Sequence, residues 1–274
     1  MRTLFSLALL CASTLAAAES PCKFTAERNF DIDPAGLSAL GLVLGSSDLV
    51  MEGSAGGKIE VRGRACASSQ EQLDRLVLTQ HRDGGRLTVE ADSGKGISIN
   101  LFGSNYAYID LHVRVPNTLP IDINAGSGDS EINDIGPLAF HSGSGDLRLR
   151  NSNGEVSIQV GSGDAIVSDI GKLTVTTGSG DIRAERVHGP VHVEHGGSGD
   201  LSFASVDGGA TVDKVGSGDV DLRDIGGDVE IGSIGSGDIE INGVRGNLTV
   251  RSHGSGDIHH RNVSGQVDVP RDRD

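Results

Sequence analysis

The sequence predicts an all-β fold: a parallel β-helix, or β-solenoid, built as one stack of coils with two short strands per coil and a β-rich cap at the N-terminal end. Three observations predict it. The phrase Gly-Ser-Gly-Asp occurs eight times, from Gly126, Gly143, Gly161, Gly178, Gly197, Gly216, Gly235 and Gly254, at spacings of 17, 18, 17, 19, 19, 19 and 19 residues. A period near 20 residues marks a repeat array. Counted from the first Gly of each phrase, apolar residues recur at fixed offsets, as in Leu201, Phe203, Val206, Ala210 and Val212, with polar residues such as Asp221, Glu230, Glu240 and Thr249 between them. Such period-2 runs are strands with one face in and one face out. A further Gly column, Gly189, Gly208, Gly227, Gly246 and Gly265, separates the two runs of each coil. Gly is expected at both corners for two reasons: open backbone angles and close approach of stacked turns. No coil has a core of its own, so stability has to come from stacking. The usual crossover preference makes the stack right-handed.

Taken in order, residues 1–18 read as a secretory signal. Arg2 is followed by an apolar run from Leu4 to Leu15 and by Ala16-Ala17-Ala18 as a cleavage site. Cys11 leaves with that segment. Cys22 and Cys66 remain, and in an oxidising compartment they are expected to form one disulfide, which contributes about 2–4 kcal/mol. Residues 19–105 form the cap and degenerate first coils. Gly45-Ser46-Ser47-Asp48 repeats the phrase with one change, and Leu49, Met51, Ile59 and Val61 are expected to share one coil. Ser68 and Glu71 resemble a capping box before a short helix, and Asp83-Gly84-Gly85 joins a hairpin.

Residues 106–269 carry the solenoid. It begins with Ala107, Ile109, Leu111, Val113 and Val115 on one face, then Pro116, Pro120 and the pair Ile121 and Ile123. Coils of shorter spacing keep the pattern, with Leu138 and Phe140, or Leu173 and Val175, arriving one residue early. Residues 270–274 form a polar tail, and together with His260 in an apolar column they blunt the end of the stack.

The signal, the degenerate N-terminal segment, Val113-Arg114-Val115-Pro116 leading into Ile121-Asp122-Ile123-Asn124, and the Gly-Ser-Gly-Asp coils resemble the bacterial exported "putative adhesin" family of β-solenoid domains. The resemblance runs from about Phe24 to Val269 and rests on repeat style rather than on catalytic residues. It implies a parallel β-helix at the cell envelope.

The strongest constellation is the column Asp129, Asp146, Asp164, Asp181, Asp200, Asp219, Asp238 and Asp257, extended by Asp48. Stacking sets adjacent carboxylates about 4.8 Å apart. Their repulsion is about 0.9 kcal/mol per pair in water and about 3.5 at an effective dielectric of 20. An offset is required. Local Asx-turn hydrogen bonds are the expected one, and a Ca²⁺-binding repeat is the alternative. No metal is expected, because the spacing differs from the nine-residue Ca²⁺-binding repeat. His188, His192, His195, His253, His259 and His260 are read as solvated surface.

Catalytic motifs are missing: there is no Gly-x-Ser-x-Gly, no phosphate loop and no Cys-x-x-Cys. The expectation is a non-catalytic, adhesin-like or scaffold protein of the envelope that needs no cofactor and binds a protein or glycan partner. The alternative is a glycan-acting lyase or hydrolase with paired acids in a groove. A net charge of −15 argues against nucleic acid, and no stretch after the signal is long and apolar enough to cross a bilayer. Tyr106 and Tyr108, beside Asp110 and Arg114, are the candidate contact patch; the competing role is to cover the seam between cap and first coil. Periplasm, outer envelope and exterior all remain open as destinations.

Overall fold

The computed structural model describes residues 22–92 and 106–270; the signal segment and the last four residues of the tail lie outside them. The chain opens with β1 (Phe24–Ile32), β2 (Ala39–Gly45), β3 (Leu49–Ser54), β4 (Ile59–Ala67), α1 (Gln70–Arg75), β5 (Val77–Asp83), β6 (Arg86–Asp92) and β7 (Ala107–Pro116). The regular stack follows with β8 (Ile121–Ala125), β9 (Ser130–Ile135), β10 (Leu138–Ser142), β11 (Leu147–Val160) and β12 (Ala165–Thr177). After these come β13 (Ile182–Val187), β14 (Val191–Gly196), β15 (Leu201–Val206), β16 (Ala210–Val215), β17 (Val220–Ile225) and β18 (Val229–Ile234). The last four are β19 (Ile239–Val244), β20 (Leu248–His253), β21 (Ile258–Val263) and β22 (Val267–Asp268).

Each coil enters the Gly-Ser-Gly-Asp corner on one strand and leaves it on another, so the strands collect into two facing layers. The entry layer runs β6, β2, β8, β10, the second half of β11 and of β12, then β14, β16, β18, β20 and β22. The exit layer runs β7, β3, β9, the first halves of β11 and β12, then β13, β15, β17, β19 and β21. All these pairs are parallel. Val220 lies in register with Ile239, as a common frame for the last coils requires. In the coils from Gly143 and Gly161, β11 and β12 each run through the second corner as one strand, while the equally short coil from Gly126 keeps β9 and β10 apart.

The core is the column set read from the offsets. Leu201, Phe203, Val206, Ala210 and Val212 are all buried, and so are their counterparts in neighbouring coils. Each coil combines large and small buried side chains, as Phe203 with Ala210 and Phe140 with Ser130.

The cap departs from the expectation. Ile59 and Val61 do not share a coil with Leu49 and Met51; they lie on β4, which runs antiparallel to both β1 and β7. Moreover β2 and β3 are wedged between the later pair β6 and β7 and the first regular coil, β8 and β9. Chain order and stacking order differ here. The helix is capped by Ser69, whose hydroxyl accepts from Gln72 N–H, one residue later than expected. Ser68 instead bonds the Gln72 side chain at 2.5 Å. Arg28, on the inward side of β1, donates to the carbonyls of Leu76 and Leu73 and so closes the helix C-terminus. The hairpin of β5 and β6 turns at Gly84-Gly85.

Candidate functional site

The Gly-Ser-Gly-Asp corner is stitched between coils rather than within them. At each step the Ser N–H donates to the first Gly carbonyl of the coil before, as Ser217 does to Gly197 at 2.9 Å. The Asp N–H donates to the preceding Asp carboxylate, and these bonds run from Asp48 to Asp257 at 2.8–3.0 Å. The Asp carbonyl in turn accepts from the first strand residue of the preceding coil, as Asp219 does from Leu201. So the expected local Asx turn is replaced by an inter-coil ladder. The bond couples each carboxylate to the neighbour that repels it, and geometry explains why. An extended corner points its carboxylate along the stack axis, toward the next coil's N–H. A second, shorter ladder runs from Asp228 through Asn247 to Gln266 at the opposite corner.

Glycine is required at the phrase for approach, not for backbone angle. A Cβ on Gly180 would sit 1.8 Å from the Gly163 carbonyl oxygen, and on Gly256 it would sit 2.0 Å from that of Gly237. None of the phrase glycines from Gly126 onward has positive φ. In the regular coils the left-handed residues occupy a different column, eight positions after the phrase begins: Asp134, Asn151, Asp169, Arg186, Ser205, Asp224, Gly243 and Asn262. Asn and Asp tolerate that region best after Gly.

Tyr106, Tyr108 and Asp110 lie together at the start of β7, with the two tyrosine rings 6.3 Å apart between centroids and the Asp110 charge acting on Tyr108, while Arg114 lies apart. Lys23 N–H donates to the Tyr106 hydroxyl at 3.1 Å, and the Tyr108 hydroxyl lies 3.8 Å from Cys22 Sγ. Cys22 and Cys66 are joined in a disulfide, and Cys66 is the cross-strand partner of Tyr108. The two tyrosines therefore roof the disulfide seam. Burial, helped by the Asp110 charge, raises the Tyr108 phenol above its ordinary pKa. Arg114 lies further along β7, in register with Glu60 and Glu52.

Among the histidines, His188 bonds Asp207 at 3.2 Å and His192 bonds Asp213 at 2.9 Å, on different segments. His253 is not solvated surface; it is half-buried in the column that holds Ser142 and Thr177. All three close the corner through the third Gly-phrase carbonyl, at 3.1, 3.0 and 2.8 Å respectively. No group of three or more metal-ligating side chains is assembled among the described residues.

Recesses lie on both sides of the corner. On the exit layer, one of about 390 Å³ is lined by Asp200, Asp219, Asp238, Asp221 and Glu240. Every one of those carboxylates stands on the same layer. The three corner aspartates carry ladder bonds, while Asp221 pairs with Arg223 and Glu240 with Arg261. On the entry layer, one of about 500 Å³ is lined by Asn124, His141, Gln159, Thr176 and His195 over a floor that includes Gly143, Gly161 and Gly178.

Residues 38–269 match the Toastrack DUF4097 family, most of the chain. The chain belongs to that family. Three solved structures are similar to this Toastrack chain. A "putative cell adhesion protein" from Clostridium sporogenes is 11% identical, with TM-score 0.33 and coverage of 89% of this chain and 99% of its own. A "putative adhesin" from Bacteroides fragilis is 11% identical, with TM-score 0.44 and coverage of 90% and 98%. A "putative lipid binding protein" from Parabacteroides distasonis is 18% identical, with TM-score 0.48 and coverage of 88% and 96%. No curated protein matches.

The entry-layer recess of the Toastrack stack was not foreseen from the offsets. Its signal is nonetheless in them. The outward positions just before each phrase read Asn124, His141, Gln159, Thr176 and His195, a run without a carboxylate or a guanidinium.

Proposed function

We propose that this chain is an exported, non-catalytic binding protein of the cell envelope, adhesin-like or scaffolding, which presents a rigid flank to a protein or glycan. The observation that carries this reading is the ladder itself. The corner aspartates, the one regular column of carboxylates among the described residues, hold coils together, accepting backbone N–H groups of the next coil. Acids held in that way make a stiff flank rather than a proton-transfer pair. The apolar run before Ala16-Ala17-Ala18 supports export, and the family and its adhesin-named neighbours support binding.

The exit-layer recess is the feature that favours a glycan-acting enzyme. Acid–base cleavage uses two carboxyl groups on either side of the scissile bond, about 5–9.5 Å apart. Here all five stand on one layer with no opposing wall of acids, which favours binding. The test is immobilised protein exposed to envelope fractions and to polysaccharides. Saturable capture of one component without new chain ends supports the proposal; release of reducing or unsaturated sugar ends replaces it with the enzyme.

A further inference from the structure

We infer that the entry-layer recess is a binding site for an uncharged, hydroxyl-rich linear chain, that is, a neutral glycan. This rests on the binding role proposed above and names the ligand class and the place. In a chain with 22% charged residues, the outward positions nearest the corner on three successive entry strands carry no formal charge: Ala139 and His141, Ser157 and Gln159, Thr174 and Thr176. The ion pair of Lys172 with Glu155 bounds this patch at the far end of the entry halves of β11 and β12. Charge resumes on either side, at Asp122 paired with Arg86 and at Glu194 and Asp213. Such a gap in the charge pattern is three coils long and coincides with the recess.

Hydrogen-bonding capacity is left over within it. His141 Nδ1 and Gln159 Oε1 are 3.1 Å apart, which fixes the Gln159 amide and leaves its NH₂ donors and the far imidazole nitrogen for a ligand. The Thr176 hydroxyl donates to Glu194 and keeps its lone pairs as acceptors. Exposed backbone of Gly143, Gly161 and Gly178 lines the floor; the space their missing Cβ atoms leave is taken by the carbonyl of the neighbouring coil. The recess, about 500 Å³, is shallow and open along its length, which suits a ligand laid along the stack rather than one enclosed by it.

Other partners fit less well. A polyanion is opposed by the net charge of −15. A polycation would settle on the carboxylate ladder instead. A protein interface needs large apolar or aromatic anchors, and the recess lining offers none that is exposed. A neutral glycan needs only repeated donors and acceptors. Stacked coils supply them about every 4.8 Å, close to the length of one sugar in an extended β-linked chain. Without an aromatic platform, affinity for a short oligosaccharide should be weak, in the millimolar range.

The test is ¹⁵N NMR titration of the full chain with cellohexaose and chitohexaose, with hexalysine and a heparin hexasaccharide as charged controls. The expected result is saturable shift changes at the His141, Gln159 and Thr176 amides with at least one neutral sugar. The double variant His141→Ala/Gln159→Ala should bind at least tenfold more weakly with an unchanged melting temperature, and Thr176→Arg, which fills the recess, should abolish binding. The inference is overturned if neither sugar moves those amides at tens of millimolar, if shifts gather at Tyr106 and Tyr108 instead, or if hexalysine or heparin occupies the recess preferentially. Envelope capture that persists in the double variant while both sugars fail would sink the glycan site and leave the binding role standing.

Discussion

Replacing Asp219 by Asn and, separately, by Ala divides the two forces that act on the corner ladder. Asp219 accepts the Asp238 N–H at 2.8 Å and its own N–H donates to Asp200 at 2.9 Å. Asn keeps the accepting oxygen and loses the charge; Ala loses both. Two neighbours about 4.8 Å away repel the carboxylate by about 0.9 kcal/mol each in water, so neutralisation relieves about 2 kcal/mol. A neutral acceptor gives back part of this, because a charged one bonds more strongly by about 1 kcal/mol. Asp219→Asn should therefore be about 1 kcal/mol more stable than the parent at low salt. Asp219→Ala should fall about 1 kcal/mol below the Asn variant, the worth of one hydrogen bond. In 1 M NaCl, where the Debye length is about 3 Å, the gain of Asn over the parent should shrink while the gap between Asn and Ala persists. Urea denaturation at both salts reads all three. Equal stability of Ala and Asn would refute the hydrogen-bond ladder. A marked loss in Asn, together with a ten-degree drop in melting temperature on adding EDTA that Ca²⁺ reverses, would show that the column holds cations instead.

Four other outcomes are expected. Ser130→Ala should stabilise the fold by about 1 kcal/mol in urea, since the Ser130 hydroxyl is buried without a partner; a loss of that size would show a hidden bond. Removing both Cys22 and Cys66 as Ser should cost up to about 4 kcal/mol from the chain entropy of closing a 44-residue separation, and a midpoint insensitive to dithiothreitol would contradict this. Gly180→Ala should cost about 3 kcal/mol or more, because its Cβ has no room beside the Gly163 oxygen; a circular dichroism melt at the parental temperature would refute that crowding. Two ion pairs should lose their contribution in acid. Hydrogen bonds and charge from Arg186 hold the Asp169 carboxyl below its ordinary pKa, and Arg62 does the same for Asp31. Groups depressed in the folded state stabilise above their unfolded pKa and lose that contribution as pH falls through the folded value. Arg186→Gly suits the left-handed backbone there and should flatten the slope below the carboxylate range; an unchanged profile would exclude the pair as its source.

Much of the fold was legible because a repeat writes the same physics many times. Leu201 over Val220 over Ile239 could be read as one column from spacing alone, and burial bears it out. The corner was legible only in part. Asp at a fixed offset announces a ladder, but whether its carboxylate turns back on its own loop or reaches the next coil depends on a direction in space. The two readings of Gly were likewise equivalent on paper. Approach distances decide for crowding, while positive φ falls on residues such as Arg186 and Ser205, whose side chains do not announce it. Ile59 misled for a simpler reason. A strand carries the same period whether its partner is parallel or antiparallel, and only the partner tells them apart.

The sequence by itself determined the period, the two strands of each coil, the buried columns and the acidic corner, because each is a local pattern repeated in register. Only the tertiary structure decided which oxygen meets which N–H, that β2 and β3 lie between a later pair and the first regular coil, and that an uncharged recess opens beside the corner. Those depend on how segments far apart in the chain come to lie side by side, and periodicity carries no information about that.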